Sequence, residues 1–467
     1  MRKKNYYLLH PMVGVAAVVI IIILIASLVV PHRHIFPDSE VVCEAVVVSP
    51  VAEQGKTICS DLLITTSPYQ GRTVTARILS SADTHYSILD GFAISARIDE
   101  DSPYLRAGTD GTTFLTPSKI RRKNVSLSHL SLVQRTRIRM LKLREDLLAN
   151  LRSNTNQTAY PIIAAMVLGD KSSLSRQTKN LFSQTGASHV LALSGLHIGI
   201  VYAFIMLMFG SRNTNEPRRR ILTALLSLLP IWAFVMLVGM PVSAIRSATM
   251  ITIYALILAL GRRSPSLNTL ALAAVIILVV SPKSLFDIGF QLSFLAMVGI
   301  FTVSPLVMSH ISMEWQIRNR LLTKLIRFSL ITLSAQIATE PLVAYYFHTF
   351  SVYFLVNNYL VVPLATAILY TSIVYFLAMP LSAALQSLLG VALSWLVRLL
   401  ESFLESMSAM PFAVVSNLHP DCLQTCLVYV LIAEILLFLH ANKPRRLIVI
   451  LLTLLFFIVY SNLVAAC

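Results

Sequence analysis

Charge is what this chain has little of. Of its 467 residues, 13% are Asp, Glu, Lys or Arg, while 56% are hydrophobic. Soluble globular proteins carry about 25% charged residues, so a soluble fold is excluded. Cysteine is scarce as well, and five residues are too few for a disulfide scaffold. Gly and Pro, at 16 and 20, show no excess that would indicate collagen or a disordered chain. What is present instead is a series of apolar blocks of about 20 residues, long enough to cross a hydrocarbon core of roughly 30 Å as helices. The mean hydropathy of +0.72 agrees. The chain reads as a polytopic α-helical membrane protein with one polar insertion.

Three of the first four residues are basic, and an uninterrupted apolar run follows from about Met12 to Val30. A signal peptide has a shorter apolar stretch and a small-residue cleavage site, and no A-x-A-like site precedes Pro31. The pattern predicts a retained transmembrane helix with a cytoplasmic N-terminus. Ten further helices are expected near 190–209, 221–239, 242–260, 267–281, 290–309, 329–347, 360–379, 382–400, 423–440 and 447–463. Segment 267–281 is short, and the pair 360–379 and 382–400 has room for a re-entrant segment. About 11 transmembrane helices place the C-terminus outside. Sixteen Lys and Arg then fall in cytoplasmic segments, at 2–4, 212–220, 262–263, 318–327 and 443–446. The outer loops at 239–241, 282–289, 348–352 and 411–422 together hold one, Lys283. That asymmetry is the one the positive-inside rule requires.

The polar insertion has two unlike parts. Between about Val41 and Thr116 lie the β-rich runs VVCEAVVV, KTICSDLLIT, TVTARILS, GFAISARI and GTTFL, separated by turn signals such as SPYQG and GTDG. They predict five strands in a small barrel. Residues 39–118 carry five basic against ten acidic side chains, a net of −5; residues 119–152 carry ten against two, a net of +8. In the second part Val133, Met140, Leu141, Leu147, Leu148 and Leu151 share a helical face, and Arg135, Arg139 and Lys142 form another stripe. Two readings stay open: a basic amphipathic helix on the membrane surface, or a helix packed on the barrel or bundle with its charged face in water. Cys43 and Cys59 fall on adjacent predicted strands outside the membrane, where thiols oxidise, and are expected to form a disulfide. Cys422 and Cys426, one turn apart at a helix start, are expected to pack among apolar groups.

An ionisable group inside the bilayer costs on the order of 3 kcal/mol or more unless it is paired or hydrated. The polar residues within the predicted helices collect toward the outer ends. Ser194 and His197 lie in the outer half of 190–209, and Arg246 is one turn into 242–260. Asp287 and Gln291 stand at the entrance of 290–309; Gln336 and Glu340 occupy the outer half of 329–347, beside Pro341. Asn357 and Asn358 precede the helix interrupted at Pro363. Polarity at one depth in five segments predicts a hydrated cavity that opens outward. The competing reading makes each group a packing device, with Arg246 paired to Glu340 or Asp287 and the amides bridging helices. Segment 160–187 adds PIIAAMVLGD, too short to span, and the amphipathic KSSLSRQTKNLF, which together would line the outer mouth.

Several chemistries find no support in the sequence. LGDKSS contains Lys171 and Ser172 without the upstream glycine of a P-loop. His32 and His34, with Asp38 nearby, have the H-x-H form, but nothing around them completes a metal ligand set. Ser194 and His197 invite a serine-hydrolase reading, yet an intramembrane protease places a glycine two residues before the nucleophile and draws its histidine from another helix. Here Ala192 and the same helix fill those positions.

Four segments occur in order: HVLALSGLHIGI (189–200), RSATM (246–250), LFDIGFQLSFLAM (285–297) and AQIATEP (335–341). Together they resemble the signature of the ComEC/Rec2 family, the membrane channel of DNA uptake in natural transformation. The resemblance covers roughly 160–440, the family's competence domain. It implies an OB-like small β-barrel outside the membrane near the N-terminus, which residues 39–118 resemble more weakly. Many members continue after the last helix into a metallo-β-lactamase-like domain with an HxHxDH motif; this sequence holds no such motif, so no nuclease activity is carried over. OB folds bind single strands with basic grooves and stacking aromatics. Here the barrel is net acidic, and Tyr69, Tyr86, Phe92 and Tyr104 are its candidates for stacking, with core or surface packing as the alternative.

The expected organisation is an N-terminal transmembrane helix (1–30), an extracytoplasmic OB-like β domain (31–118), a basic amphipathic interfacial segment (119–158) and a competence-type channel domain (159–467). The implied function is conduction of single-stranded DNA across the inner membrane into the cytoplasm, without a catalytic residue, cofactor or metal. The path would use Asp170, Ser194, Gly195, His197, Arg246, Asp287, Gln291, Glu340 and Asn358. Arg121, Arg122, Lys123, Arg135, Arg139 and Lys142 would touch DNA or membrane lipids outside. With no nucleotide site in the chain, the resemblance implies a cytoplasmic ATPase or single-strand-binding proteins, an extracytoplasmic DNA receptor and a separate nuclease as partners. A small-solute or lipid-precursor transporter and an intramembrane hydrolase are the alternative readings.

Overall fold

The computed structural model describes residues 11–29, 34–49, 52–54, 57–79, 86–104, 109–125, 131–209, 217–261, 266–441 and 444–466. Arg2, Lys3, Lys4, His32, Arg212, Arg262, Arg263 and Lys443 lie outside the described residues. The first apolar run forms α1 (Pro11–Val29). A β domain follows, made of β1 (Val41–Val47), β2 (Ala52–Gln54), β3 (Thr57–Ile64), β4 (Thr73–Leu79), β5 (Gly91–Ala96), β6 (Gly111–Leu115) and β7 (Ile120–Arg122). The five expected strands are all present; the two extra ones, β2 and β7, are three residues each, too short to show a periodicity.

The strand order is β6-β4-β3-β1-β5-β7, with β2 added to β3. Backbone bonds between Asp99, just past β5, and Thr112 of β6 close the sheet on itself. Every second residue then faces one interior, as strand geometry demands. Cys43, Ala45 and Val47 of β1 meet Ile58, Leu62 and Ile64 of β3, Val74, Ala76 and Ile78 of β4, and Phe92 and Ile94 of β5.

This register corrects the expected disulfide. Ala45 lies opposite Ile64, so Cys43 and Cys59 are seven positions out of step, roughly 20 Å along the strands. They also face opposite sides: Cys43 belongs to the interior cluster with Ile58, whereas Cys59 alternates with it and lies opposite Arg77. Both remain thiols. Cys422 and Cys426 are exposed rather than packed inside.

The basic segment forms α2 (Leu132–Asn154), started by a capping box in which Ser131 and Gln134 satisfy each other's backbone N–H. Of the two readings left open by the sequence, the structure has the packed one, with partners on both sides. Ile138 and Leu141 pack with Val48, Leu63 and Ile88 of the β domain. Leu148 and Leu151, further along, pack into the helical bundle. Val133 and Leu132 are 57% and 81% exposed, so the apolar face begins later than the pattern suggested. Gly71, at φ +84°, lets the β domain approach the Gln134 side chain where a Cβ would clash.

After α2 come α3 (Ala159–Leu168), α4 (Arg176–Gln184) and α5 (Ser188–Leu191). α3 is ten residues long and its side chains are buried almost throughout, against α13 and α14, defined below. The remaining helices are α6 (Gly195–Phe209), α7 (Pro217–Leu237), α8 (Val242–Ala259), α9 (Ser266–Val280), α10 (Ile288–Met308), α11 (Met313–Arg318) and α12 (Arg320–Phe347). Then follow β8 (Thr349–Ser351), α13 (Phe354–Ala378), α14 (Ala383–Ser408), β9 (Val414–Ser416), α15 (Cys422–Ala441) and α16 (Pro444–Ala466). Among the described residues eight helices, α7, α8, α10 and α12 to α16, are long and apolar enough to cross a membrane. The chain is a polytopic helical membrane protein.

Two close approaches set the packing. Gly299 of α10 lies on Ser334 and Ala338 of α12; a Cβ there would stand 2.4 Å from the Ser334 carbonyl oxygen, so these helices meet backbone to backbone. Gly390 of α14 abuts the Asn154 carbonyl at the end of α2 in the same way. Hydrogen-bonded β8 and β9 tie the entrance of α13 to the exit of α14, so this helical pair starts and finishes at one end of the bundle.

Burial in the β-domain interior pushes the Cys43 thiol up to about 11. At pH 8 about one such group in a thousand is ionised. Maleimide should label Cys43 at least about a hundredfold more slowly in the folded protein than after denaturation. Peptide mapping without reductant should find no Cys43–Cys59 cross-link; finding one would contradict the register.

Candidate functional site

The strongest polar unit inside the bundle is built on helix starts. A helix N-terminus has spare N–H groups and a partial positive charge, and Asp287 answers both: its Oδ1 accepts from the Phe290 N–H at 2.7 Å and so caps α10. The same oxygen accepts from Arg246 Nη1 at 2.9 Å, reaching across from the second turn of α8. Arg246 Nη2 donates to Ser293 Oγ at 3.2 Å, and the guanidinium stands 6.0 Å from the Phe290 ring. Gly289 makes room, since a Cβ there would come within 3.1 Å of both Arg246 Nη2 and Asp287 Oδ1. Arg246 is 3% exposed, and 26% of the Asp287 side chain remains accessible. The cation is buried, and one edge of its carboxylate stays open. Gln291 donates to the Leu285 carbonyl at 3.0 Å and steadies the turn that presents Asp287.

The next face of α8 joins this unit to α6. Ser243 Oγ donates to the Leu193 carbonyl at 2.6 Å, and Ser247 lies against Gly195, where a Cβ would be 3.1 Å from its Oγ. A side chain at 195 would press on Ser247 and shift its hydroxyl. Directly before Gly195, the Ser194 N–H donates to His197 Nδ1 at 3.3 Å, with Ser194 Oγ 3.0 Å from the same nitrogen. A backbone N–H only donates, so Nδ1 accepts and a neutral ring carries its proton on Nε2. The same Nδ1 can also accept from the Ser194 O–H, and both groups belong to one helix start. His197 is fully buried, and its Nε2 has no hydrogen-bond partner among the described residues.

Glu340 and Gln336 hydrogen-bond to each other on α12, beside Pro341, and Glu340 Oε1 has no partner among the described residues. The starts of α6, α8 and α10 meet through Ser243–Leu193 and Arg246–Asp287, and Glu340 lies on α12, which packs on α10 at Gly299. No ion pair among the described residues joins Glu340 to Arg246; the carboxylate beside Arg246 is Asp287. Asp170 follows Gly169, where a Cβ would stand 2.5 Å from Leu193 Cδ1, so its turn abuts the segment just before Ser194. Asn357, next to the half-buried Asn358, donates to the Thr185 carbonyl at 2.7 Å where the α4–α5 turn meets β8. Asp170 is buried in the turn after α3 and accepts from the Ser172 N–H at 3.1 Å.

Asp170 has a neighbour that the sequence reading missed. Arg144 of α2 is 3% exposed; burial lowers its pKa, and the charges of Asp170 and Glu145 oppose that effect. Its guanidinium lies near Gly239, past the end of α7, and Arg137 on the same helix donates to the Gly239 carbonyl at 3.5 Å. The signal was available: Arg144 interrupts the apolar face at the helical spacing 141, 144, 148. Ser243, Ser247 and Ser293, each within four residues of a chosen position, were also overlooked.

The outer basic residues divide. Arg122 pairs with Asp90 at 2.9 Å and Lys123 with Glu44, so barrel carboxylates neutralise the β7 edge. Arg121 is exposed, Arg135 half-buried, and Arg139 and Lys142 are exposed on α2. Of the aromatic candidates, Phe92 is core, and Tyr69 and Tyr86 pack against that core, while Tyr104 is 50% exposed.

The profile of the Competence protein family matches residues 166–443, more than half of the chain and the part that holds the helix-start site, but not α2 or the β domain. ComE operon protein 3 of Bacillus subtilis (strain 168) is 27% identical over 333 residues, which is 70% of this chain and 40% of that protein. The chain thus spans less than half the length of that curated relative. No solved structure matches.

Breaking a fully buried ion pair costs about 3–5 kcal/mol, and the partial exposure of Asp287 reduces that to roughly 2–3 kcal/mol for Arg246→Ala or Asp287→Ala. The double variant should lose clearly less than the sum, with a coupling of at least about 1 kcal/mol in a double-mutant cycle of detergent-solubilised unfolding. Additive losses would mean that the pair is not a unit.

Proposed function

Because the chain belongs to the Competence protein family, which is the ComEC family, we propose that it serves DNA uptake as an inner-membrane channel conducting single-stranded DNA into the cytoplasm. The observation that carries this reading is the Arg246–Asp287–Ser293 unit, set beside Ser194 and His197 at one end of an apolar bundle and within the family's own region. A polyanion crossing a membrane needs cationic and donor groups that hold phosphates weakly enough to release them. Arg246, half-neutralised by Asp287, and the Nε2 donor of His197 have that character; both are buried here, so in this reading the helix starts part to expose them to a strand. Glu340, Gln291, Asp170, Gly195 and Asn358 complete the proposed path, with Gly195 leaving space for Ser247 and the carboxylates limiting phosphate affinity.

In this reading the protein is not an enzyme and needs no cofactor. Directional pulling comes from a cytoplasmic ATPase or single-strand-binding proteins, delivery from an extracytoplasmic DNA receptor, and removal of the other strand from a separate nuclease. The β domain is an extracytoplasmic OB-like barrel, and Arg139 and Lys142 reach lipid headgroups or DNA. We assign about 11 crossings, counting the shorter apolar helices α1, α6 and α9 with the eight long ones. The N-terminus is cytoplasmic and the C-terminus outside. Because β8 and β9 join the two ends of the α13–α14 pair, this sidedness holds whether that pair crosses the bilayer or re-enters.

Two measurements test the proposal. Labelled DNA should enter the cytoplasm of a deletion strain only when the gene is restored, and Arg246→Ala should cut uptake at least about tenfold while the protein still inserts in the membrane. Normal transformation in the deletion strain would remove the proposal, and substrate-dependent flux of a small solute would favour a transporter instead. For sidedness, in a background with all five native cysteines replaced by Ser, a membrane-impermeant maleimide should label Ser416→Cys in intact cells and Glu314→Cys only after permeabilisation. The reverse pattern would invert the orientation.

A further inference from the structure

The outer surface of the β domain carries an exposed aromatic group that its folding does not use. Arg77 on β4 and Phe114 on β6 are direct partners in the parallel β4–β6 register, so both project on the same side. That side is the outer one, because Val74, Ala76 and Ile78 alternate with Arg77 toward the interior. Tyr104 joins them from the loop after β5. Its ring meets the Phe114 ring edge-on at 5.8 Å, and the Arg77 guanidinium lies 4.0 Å from the Tyr104 centroid and 5.8 Å from that of Phe114. Tyr104 is 50% exposed and Phe114 56%, and Leu79, two residues beyond Arg77 on the same face, is 47% exposed. Two half-exposed rings in contact with one guanidinium form an apolar surface patch with one positive charge.

We infer that Arg77, Tyr104 and Phe114 form a stacking platform for the bases of single-stranded nucleic acid on the outer face of the β domain. The inference rests on the nucleic-acid reading proposed above and adds a site to it. Bases stack on exposed aromatic rings regardless of sequence, and an arginine plane extends such a surface. The electrostatics favour base over backbone. Residues 39–118 are net −5; Arg72 at the start of β4 pairs with Asp110, and Arg97, whose carbonyl accepts from Thr113 beside Phe114, pairs with Asp38. A double helix, whose bases are already stacked on one another, offers this surface only its phosphates, which an acidic domain repels. The platform therefore selects unpaired strands by the faces of their bases.

The test uses the full chain in detergent or nanodiscs and measures fluorescence anisotropy with labelled oligothymidylate and with an abasic oligomer of equal length and charge. Tyr104→Ala with Phe114→Ala should weaken oligothymidylate binding at least about tenfold and leave abasic binding unchanged. The salt dependence of binding should keep its slope, because no phosphate contact is lost. Tyr104→Phe and Phe114→Tyr, which keep the rings, should bind as the unaltered protein does, and an unchanged melting temperature for each variant establishes that the domain is folded. Equal losses on both oligomers, or no loss on either, would overturn the platform. DNA uptake by the same alleles separates the two levels. If the unaltered gene restores uptake while the double-alanine protein binds oligothymidylate normally, the platform fails and the channel reading stands. If the unaltered gene restores nothing, the channel reading fails instead.

Discussion

A guanidinium buried among apolar helices must have its charge answered within hydrogen-bonding distance, and the end of the bundle is arranged around that demand. Arg246 sits on α8, and its carboxylate comes from α10. Asp287 is already committed to the first turn of α10, so the contact that neutralises the arginine also fixes where that helix begins. Removing water from such a pair makes each partner dependent on the other. The glycine between Asp287 and Phe290 exists for the same reason, because the arginine occupies the space its side chain would need. α8 then carries the arrangement to α6 through Ser243 and Ser247. The polar site is consequently made almost wholly of helix starts, where the backbone itself has unused donors.

The β domain follows the opposite rule. Its charged pairs are largely exposed, and its surplus acid is answered locally, with Glu40 on Lys119, Glu44 on Lys123 and Asp90 on Arg122. These exposed pairs contribute little stability. They do cancel most of the positive charge at the β7 edge, leaving the accessible cations on α2 and the exposed rings as the surfaces available to a partner.

Much of this was legible in the sequence, and what was missed follows from what a linear pattern leaves out. Apolar runs located every long helix, since hydrophobic length is a local property; 242–260 became Val242–Ala259. Alternation found five strands, but strand identity carries no register, and register is what separates Cys43 from Cys59. The cluster at 246 and 287 was visible because charge in an apolar run stands out. Which carboxylate answers Arg246 was not, because Glu340 and Asp287 are equivalent until helices are placed in space. Arg144 was obscured rather than hidden: it is one of ten basic residues in 119–152, and only its place on the 141–148 apolar face sets it apart.

α2 is gripped from two directions over the same turns: Ile138, Leu141 and Glu145 meet the β domain, while Arg137, Arg144, Leu148 and Leu151 meet the bundle. A continuous helix turns by about 100° per residue and advances 1.5 Å. Deleting one residue near Arg144 would carry the side chains beyond it more than a quarter of a circle away from their partners on both flanks, although no partner had changed. α2 is a wall common to two rooms, and its residue count is tied to both at once.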